Sequence, residues 1–242
     1  MAKLATKKAA AKRPAKARTK KAKAAVEKVD VGQDVEVTLR RYGSEGSPLL
    51  VLAHGAGGDQ NHPWMVAWAR ALGELGLHIV TFDFPYTARG KRAPDKSDVL
   101  ERCWVRVLAH VRAASGAAPI FAGGKSMGGR IASQIVAGGE NVRGLVFLGY
   151  PLHPPGKPAD LRTQHWPKVR VPSLFVQGTR DPFGNPMELA AHIRELGARA
   201  TVYAVDGGDH SLVVPKKGGV PQATVDAAAR RAIVDFVTSP NG

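Results

Sequence analysis

Three short stretches hold residues of the types that acyl-transfer chemistry uses. Gly124-Lys125-Ser126-Met127-Gly128 is a G-x-S-x-G pattern, with a serine between flanking glycines. A nucleophile held on a sharp strand-to-helix turn brings backbone against backbone, where a neighbouring Cβ would clash, and Gly124, Gly128 and Gly129 clear that space. Asp181 stands in Gly178-Thr179-Arg180-Asp181-Pro182 and His210 in Gly207-Gly208-Asp209-His210. The order Ser126, Asp181, His210 suits a nucleophile, an orienting acid and a general base. His210 would take the Ser126 proton, and Asp181 would hold the imidazole tautomer and stabilise the imidazolium. Singly, Asp181 reads as a turn residue before a proline and His210 as a polar loop residue. Together, in one order and each at a strand end, they read as a triad. Asp206 and Asp209 are less favoured as orienters because they lie so near His210 in the chain, but they remain open.

Acyl transfer also needs donors for a developing oxyanion. The Met127 N–H at a helix start is one. The small-residue run His54-Gly55-Ala56-Gly57-Gly58 supplies a second, with Ala56 preferred over Gly57 and His54 read as structural. Two phosphate-binding patterns fail on single residues. A Walker A motif ending at Gly124-Lys125-Ser126 needs glycine where Pro119 stands, and G-x-G-x-x-G from Gly55 needs glycine where Gln60 stands. Substrate-contact candidates are Tyr86 and Arg89 on one loop, and Tyr150 and His153, with Leu152 and Trp166, on a proline-rich stretch from Tyr150 to Val169. That stretch is too short for a cap domain and reads either as a flap over the pocket or as a plain surface loop. Arg89, Lys91 and Arg92, with Lys125 and Arg130 close to the nucleophile, raise a preference for an anionic substrate. The alternative is a solvated loop whose charges serve solubility.

The elements that must position these residues can be read from hydrophobic pattern. Val35, Val37 and Leu39 alternate with Glu36, Thr38 and Arg40, which predicts a half-exposed, antiparallel strand. Short apolar runs at 49–53, 78–84, 119–122, 142–148, 173–177 and 201–205 predict buried parallel strands. Helical patterns fall between them, at about 63–76, 97–114, 127–138, 186–196 and 222–237. Trp64 and Trp68, four apart on the first, are read as core, and Cys103 as a small packing residue. Strands alternating with helices predict an α/β fold, a mostly parallel sheet covered on both faces, with ligands at the carboxyl ends of the strands.

On these residues the chain resembles the α/β-hydrolase superfamily over about 33–240, and more narrowly its small, uncapped, dienelactone-hydrolase-like group. The stretches 53–57, 82–86, 123–130 and 177–184 resemble a bacterial branch of that group, itself similar to eukaryotic members associated with chromatin-modifying complexes. The resemblance implies a Ser-Asp-His hydrolase of the carboxylesterase or thioesterase kind and supplies no substrate. Dienelactone hydrolases use a cysteine nucleophile where this chain has Ser126, so their lactone chemistry is not carried over. Cleavage of a small ester or thioester through an acyl-enzyme is the expected activity, with a dipeptide-like amide disfavoured. The alternative is an interaction protein on the same fold.

Composition sets the remaining bounds. The 242 residues include one cysteine, which excludes an intramolecular disulfide, and eight histidines without H-E-x-x-H spacing, so no metal and no cofactor are expected. No apolar run is long enough to span a membrane, and no apolar stretch follows the charged start, so a cytoplasmic setting is expected. The formal charge of +15 is uneven: ten of 35 basic residues and none of the 20 acidic ones fall in 1–25, leaving only +5 for the rest. Residues 1–30 are read as a disordered Lys/Ala-rich tail and linker, and 31–242 as a single domain. Such a tail either contacts nucleic acid through phosphates without reading sequence, or is a solvated extension without a partner. Deleting residues 1–25 is expected to leave kcat/KM unchanged and to abolish any salt-sensitive duplex DNA binding. Equal DNA binding by the truncated protein in a filter-binding titration would refute the nucleic-acid assignment.

Overall fold

The strands at the centre of the molecule have no polar face. In β3 (Leu49–Ala53), β4 (His78–Phe82) and β6 (Gly144–Leu148) every residue is buried, as expected for strands covered on both sides. Side chains alternate between two hydrophobic layers. Leu49, Val51 and Ala53 of β3, with Leu145 and Phe147 of β6, face one layer, while Leu50, Leu52, Val146 and Leu148 face the other. The first layer is closed by α3 (Ser97–Ser115) and α4 (Met127–Ala137) through Trp104, Leu108 and Ile131. The second is closed by α1 (Pro63–Glu74) and α6 (Gln222–Thr238) through Trp68, Leu72 and Ile233.

The eight-stranded sheet has the order β1-β2-β4-β3-β5-β6-β7-β8. The other strands are β1 (Val26–Asp30), β2 (Glu36–Tyr42), β5 (Ile120–Lys125), β7 (Ser173–Gly178) and β8 (Ala200–Val205). The β1–β2 and β2–β4 pairs are antiparallel and the rest of the sheet is parallel. The remaining helices are α2 (Pro85–Ala88) and α5 (Pro186–His192), the latter opened by an Asn185–Glu188 capping box. The computed structural model describes residues 26–32, 34–116, 118–196, 199–217 and 219–239; the basic stretch 1–25 lies outside them. Among the described residues no helix is long and apolar enough to cross a membrane.

The pattern-based reading of the sheet is largely met, with instructive departures. The sheet begins at Val26, five residues before the domain start placed at 31, because Val29 and Val31 bury against the first layer. Strand β5 runs to Lys125 rather than stopping at Ala122, since Gly123 and Gly124 are ladder residues packed between β3 and β6. Strand β8 is partly exposed, as suits an edge strand rather than a buried one.

Two glycines show how closely β5 and α4 approach β3. A Cβ on Gly128 would stand 2.5 Å from the Ala53 carbonyl oxygen and 2.6 Å from that of His54. Gly124, at φ +153°, would drive a Cβ into the Ala53 carbonyl. Both obstacles are backbone in the middle of the sheet and cannot rotate away. Gly128→Ala is therefore expected to destabilise by about 3 kcal/mol, the upper end for overpacking. Urea denaturation checks it, and a loss below about 1 kcal/mol would show that the strand can move.

Candidate active site

The turn between β5 and α4 holds Ser126 at φ 51°, ψ −118°, a left-handed conformation that is strained for a residue with a Cβ. The Ser126 N–H donates to Leu148 O (3.1 Å) and its carbonyl accepts from Arg130 N (3.1 Å), so sheet and helix grip the residue from both sides. Its Oγ lies 2.8 Å from His210 Nε2, and His210 Nδ1 lies 2.8 Å from Asp181 Oδ2. The serine, base and acid expected from the sequence are thus brought into one hydrogen-bonded line.

Asp181 follows β7 and its carboxylate is fully buried. Three donors serve it: Phe183 N on Oδ1 (2.9 Å), and Gln177 Nε2 (2.8 Å) and the His210 ring on Oδ2. Gln177 is locked in turn, accepting from Tyr150 N (2.7 Å) and donating to Gly184 O (2.6 Å). Sequence reasoning missed Gln177. Its signal was a polar residue inside the otherwise apolar strand Ser173-Leu174-Phe175-Val176-Gln177. The alternative orienters lie elsewhere: Asp206 is exposed, and Asp209 Oδ1 accepts from Ser211 N (2.7 Å) and Val213 N (3.0 Å) within its own turn.

The loop carrying His210 is tied down by two side chains. Trp64 Nε1 donates to Ser211 O (3.0 Å) and Lys125 Nζ to His210 O (2.6 Å). The Phe183 ring packs on the imidazole, centroids 4.2 Å apart. Burial pulls the Lys125 ammonium down to about 8, against the opposing pull of Asp181 and Asp209.

The His54–Gly58 run leaves the end of β3 beside the serine. His54 accepts from Phe84 N at Nε2 (3.2 Å), so the proton is assigned to Nδ1, which donates to Gly55 O (2.8 Å). Burial lowers its pKa and keeps the ring neutral, a structural histidine as the sequence suggested. The loop's far end is pinned by Gln60, whose N–H and side-chain amide both donate to Asp83 (2.9 and 2.7 Å). A cavity of about 800 Å³ opens over the triad, and Ala56, Met127, Ser126 and His210 line it; Gly57 does not. Among the described residues, no group of three or more His, Cys, Asp or Glu side chains converges as metal ligands.

All six substrate-contact candidates, Tyr86, Arg89, Tyr150, Leu152, His153 and Trp166, lie outside the cavity lining. Tyr86 and Tyr150 are fully buried in the first core layer. Tyr150 OH accepts from Trp166 Nε1 (2.9 Å) and donates to Arg162 O (3.1 Å). His153 is buried between Pro154 O (2.8 Å) and Glu188 (3.3 Å). Arg89 pairs with Asp95 at 2.6 Å. Aromatic rings just past a strand end were available to the core as well as to the pocket, and the core took them. Trp64 and Trp68 divide: Trp68 is core, while half-buried Trp64 stacks on it and lines the cavity.

An α/β-hydrolase domain profile matches residues 46–238, four-fifths of the chain. The chain belongs to the α/β-hydrolase family. This hydrolase is of the uncapped kind, since the segment from Gly149 to Pro172 between β6 and β7 holds only the 3₁₀ turn Trp166–Lys168. Solved structures agree in fold. An α/β serine hydrolase homologue from Coxiella burnetii is 19% identical, with a TM-score of 0.68 over 91% of this chain and 99% of that one. A dienelactone hydrolase from Anabaena variabilis is 19% identical (TM-score 0.68, 88% and 97% covered). A serine hydrolase without a lid from Xanthomonas campestris is 18% identical (TM-score 0.68, 90% and 97% covered).

The buried lysine gives a pH test. Between about pH 8 and its ordinary 10.5, Lys125 holds fewer protons in the folded protein than in the unfolded chain, so stability rises with pH across that window. In urea titrations at about pH 7 and about pH 10, wild type should gain stability relative to Lys125→Met. A difference that stays flat or falls would return Lys125 to its ordinary value.

Proposed function

We propose that this chain is a serine hydrolase that cleaves a small ester or thioester through an acyl-enzyme. The carrying observation is the unbroken line from Ser126 Oγ through His210 to the buried Asp181, 2.8 Å at each step, opening on the cavity. His210 Nε2 accepts the Ser126 proton as Oγ bonds to the carbonyl carbon. The carbonyl oxygen takes up the displaced electron pair and is met by the Met127 and Ala56 N–H groups, Met127 standing at the positive end of α4. Collapse of the tetrahedral adduct expels the alcohol or thiol, which takes the proton from His210. Water then repeats the sequence on the acyl-enzyme and releases the acid. Asp181 holds its charge throughout and steadies the imidazolium. Esters and thioesters are favoured over amides because their leaving groups demand less of the His210 proton.

A fluorophosphonate probe should label wild type and fail on Ser126→Ala. On an activated ester, Ser126→Ala and His210→Ala should each lower kcat by about 10³-fold or more, with the double variant hardly worse than either single, because the residues act as one unit. Asp181→Asn should also lose a large factor while keeping the fold, since it presents the wrong tautomer to His210. An unlabelled wild type, or additive losses, would overturn the reading.

A further inference from the structure

The charges that line the catalytic cavity are unevenly matched. Five lining residues carry formal charge: Asp59, Asp95, Lys125, Arg130 and Arg162. Three have partners inside the protein. Asp95 pairs through Oδ1 with Arg89 at 2.6 Å, although its buried Oδ2 has no partner, Asp59 Oδ1 accepts from Asn61 N at 2.7 Å, and Lys125 donates to His210 O. Arg130 and Arg162 differ. Among the described residues, neither guanidinium has a hydrogen-bond acceptor or a carboxylate within ion-pair distance, and both residues are partly buried.

The two arginines also sit close enough to repel. Burial lowers the Arg130 pKa, and the charge of Arg162 lowers it further against opposing pulls from Tyr150 and Glu101. A guanidinium still does not lose its proton in a protein, so two like charges stay at one wall of the cavity. Neither placement is loose. Arg130 lies one turn along α4 from Ser126, about 6 Å along the helix axis, and its carbonyl accepts from Ser133 Oγ (2.6 Å). Arg162 donates its N–H to Leu152 O (2.8 Å), and its carbonyl accepts from the buried Tyr150 hydroxyl. Each backbone is therefore held in place, and the two unpaired guanidiniums offer planar forks that match a carboxylate. Trp64, Met65 and Leu100 supply apolar lining to the same cavity.

Resting on the hydrolase reading above, we propose that Arg130 and Arg162 form an anion subsite, and that the preferred substrate is an ester or thioester carrying a carboxylate a few carbons from the reacting carbonyl. The carboxylate docks between the guanidiniums, the carbon chain lies along the apolar lining, and the reacting carbonyl reaches Ser126.

Matched esters test this. Mono-p-nitrophenyl adipate and p-nitrophenyl hexanoate have acyl groups of equal length and differ by the distal charge. 4-(Hexanoyloxy)benzoate and phenyl hexanoate place the difference on the leaving group. For one of the pairs, wild type should favour the anionic ester in kcat/KM by at least about tenfold, as one charge-assisted hydrogen-bonded pair supplies. That preference ratio should collapse in Arg130→Gln and Arg162→Gln, recover in part in Arg162→Lys, and shrink in roughly 0.5 M salt. Calorimetry on Ser126→Ala, which does not turn over, provides the independent arm. It should bind monomethyl adipate at least about tenfold more tightly than methyl 6-hydroxyhexanoate, and lose that difference when Arg162→Gln is added. If wild type hydrolysed no ester, the hydrolase reading would fail while the binding arm still decided the subsite. Equal kcat/KM within both ester pairs, or equal binding of the two methyl esters, overturns the proposal.

Discussion

The backbone of Ser126 is the constraint on which the rest of the site depends. A non-glycine residue at φ 51°, ψ −118° persists only where its surroundings leave it no alternative. Here the sheet holds its N–H through Leu148 O, the first turn of α4 holds its carbonyl through Arg130 N, and the neighbouring chain is clamped against β3. The clamp requires glycine where β5 and α4 touch the Ala53 and His54 carbonyls. One local geometry therefore does three jobs. It lifts Oγ clear of the sheet, starts α4 with its unpaired N–H groups beside Ser126, and seats β5 and α4 against the end of β3 from which the His54–Gly58 loop leaves.

A serine so placed needs a base of equal rigidity, and the opposite half of the sheet provides it. Asp181 is useful to His210 only because its buried carboxylate is paired on every side, and Gln177 is what makes that burial tolerable. The same glutamine ties β7 to the Tyr150 backbone at the end of β6. Lys125 links the two halves directly, reaching from beside the nucleophile to the carbonyl of the base. The triad is thus fastened by second contacts from both neighbouring strand ends.

What the sequence revealed follows from which features are written locally. The turn at Ser126 was legible because backbone crowding demands glycine at fixed spacing, and the strand ends because apolar runs stop abruptly there. Gln177 was not legible as a support, since its value comes from Asp181 and Tyr150, residues that only folding brings near. The cavity lining was read least well for the same reason. Tyr86 and Tyr150 follow strand ends in the chain, yet a ring there can turn toward the pocket or into the layer beneath, and hydrophobic packing decides. The Arg89–Arg92 cluster was open between a surface role and an anion-binding one, and the pairing of Arg89 with Asp95 a few residues on was not legible from its charge alone. The early end given to β5 has the opposite cause, because glycines read as turn residues also serve a sheet where two strands crowd a third.

The uncapped architecture leaves the cavity over Ser126 to be shaped by the residues that line it. With no cap domain over the strand ends, the short segment after β6 has to shape the pocket from below. Its aromatic residues do so indirectly: Trp166 donates to the Tyr150 hydroxyl, which donates to the Arg162 carbonyl, so two buried rings fix the backbone of a residue that faces the cavity. The Tyr150 ring, which sequence reasoning assigned to substrate contact, is one hydrogen bond removed from the cavity lining. A buried aromatic scaffold holds the backbone of a cavity residue more firmly than a flexible surface loop could, because its position is set by packing. On the proposed reading, the chemistry would reside in the strand ends common to the fold, and the choice of substrate in how the segment after β6 is packed beneath them.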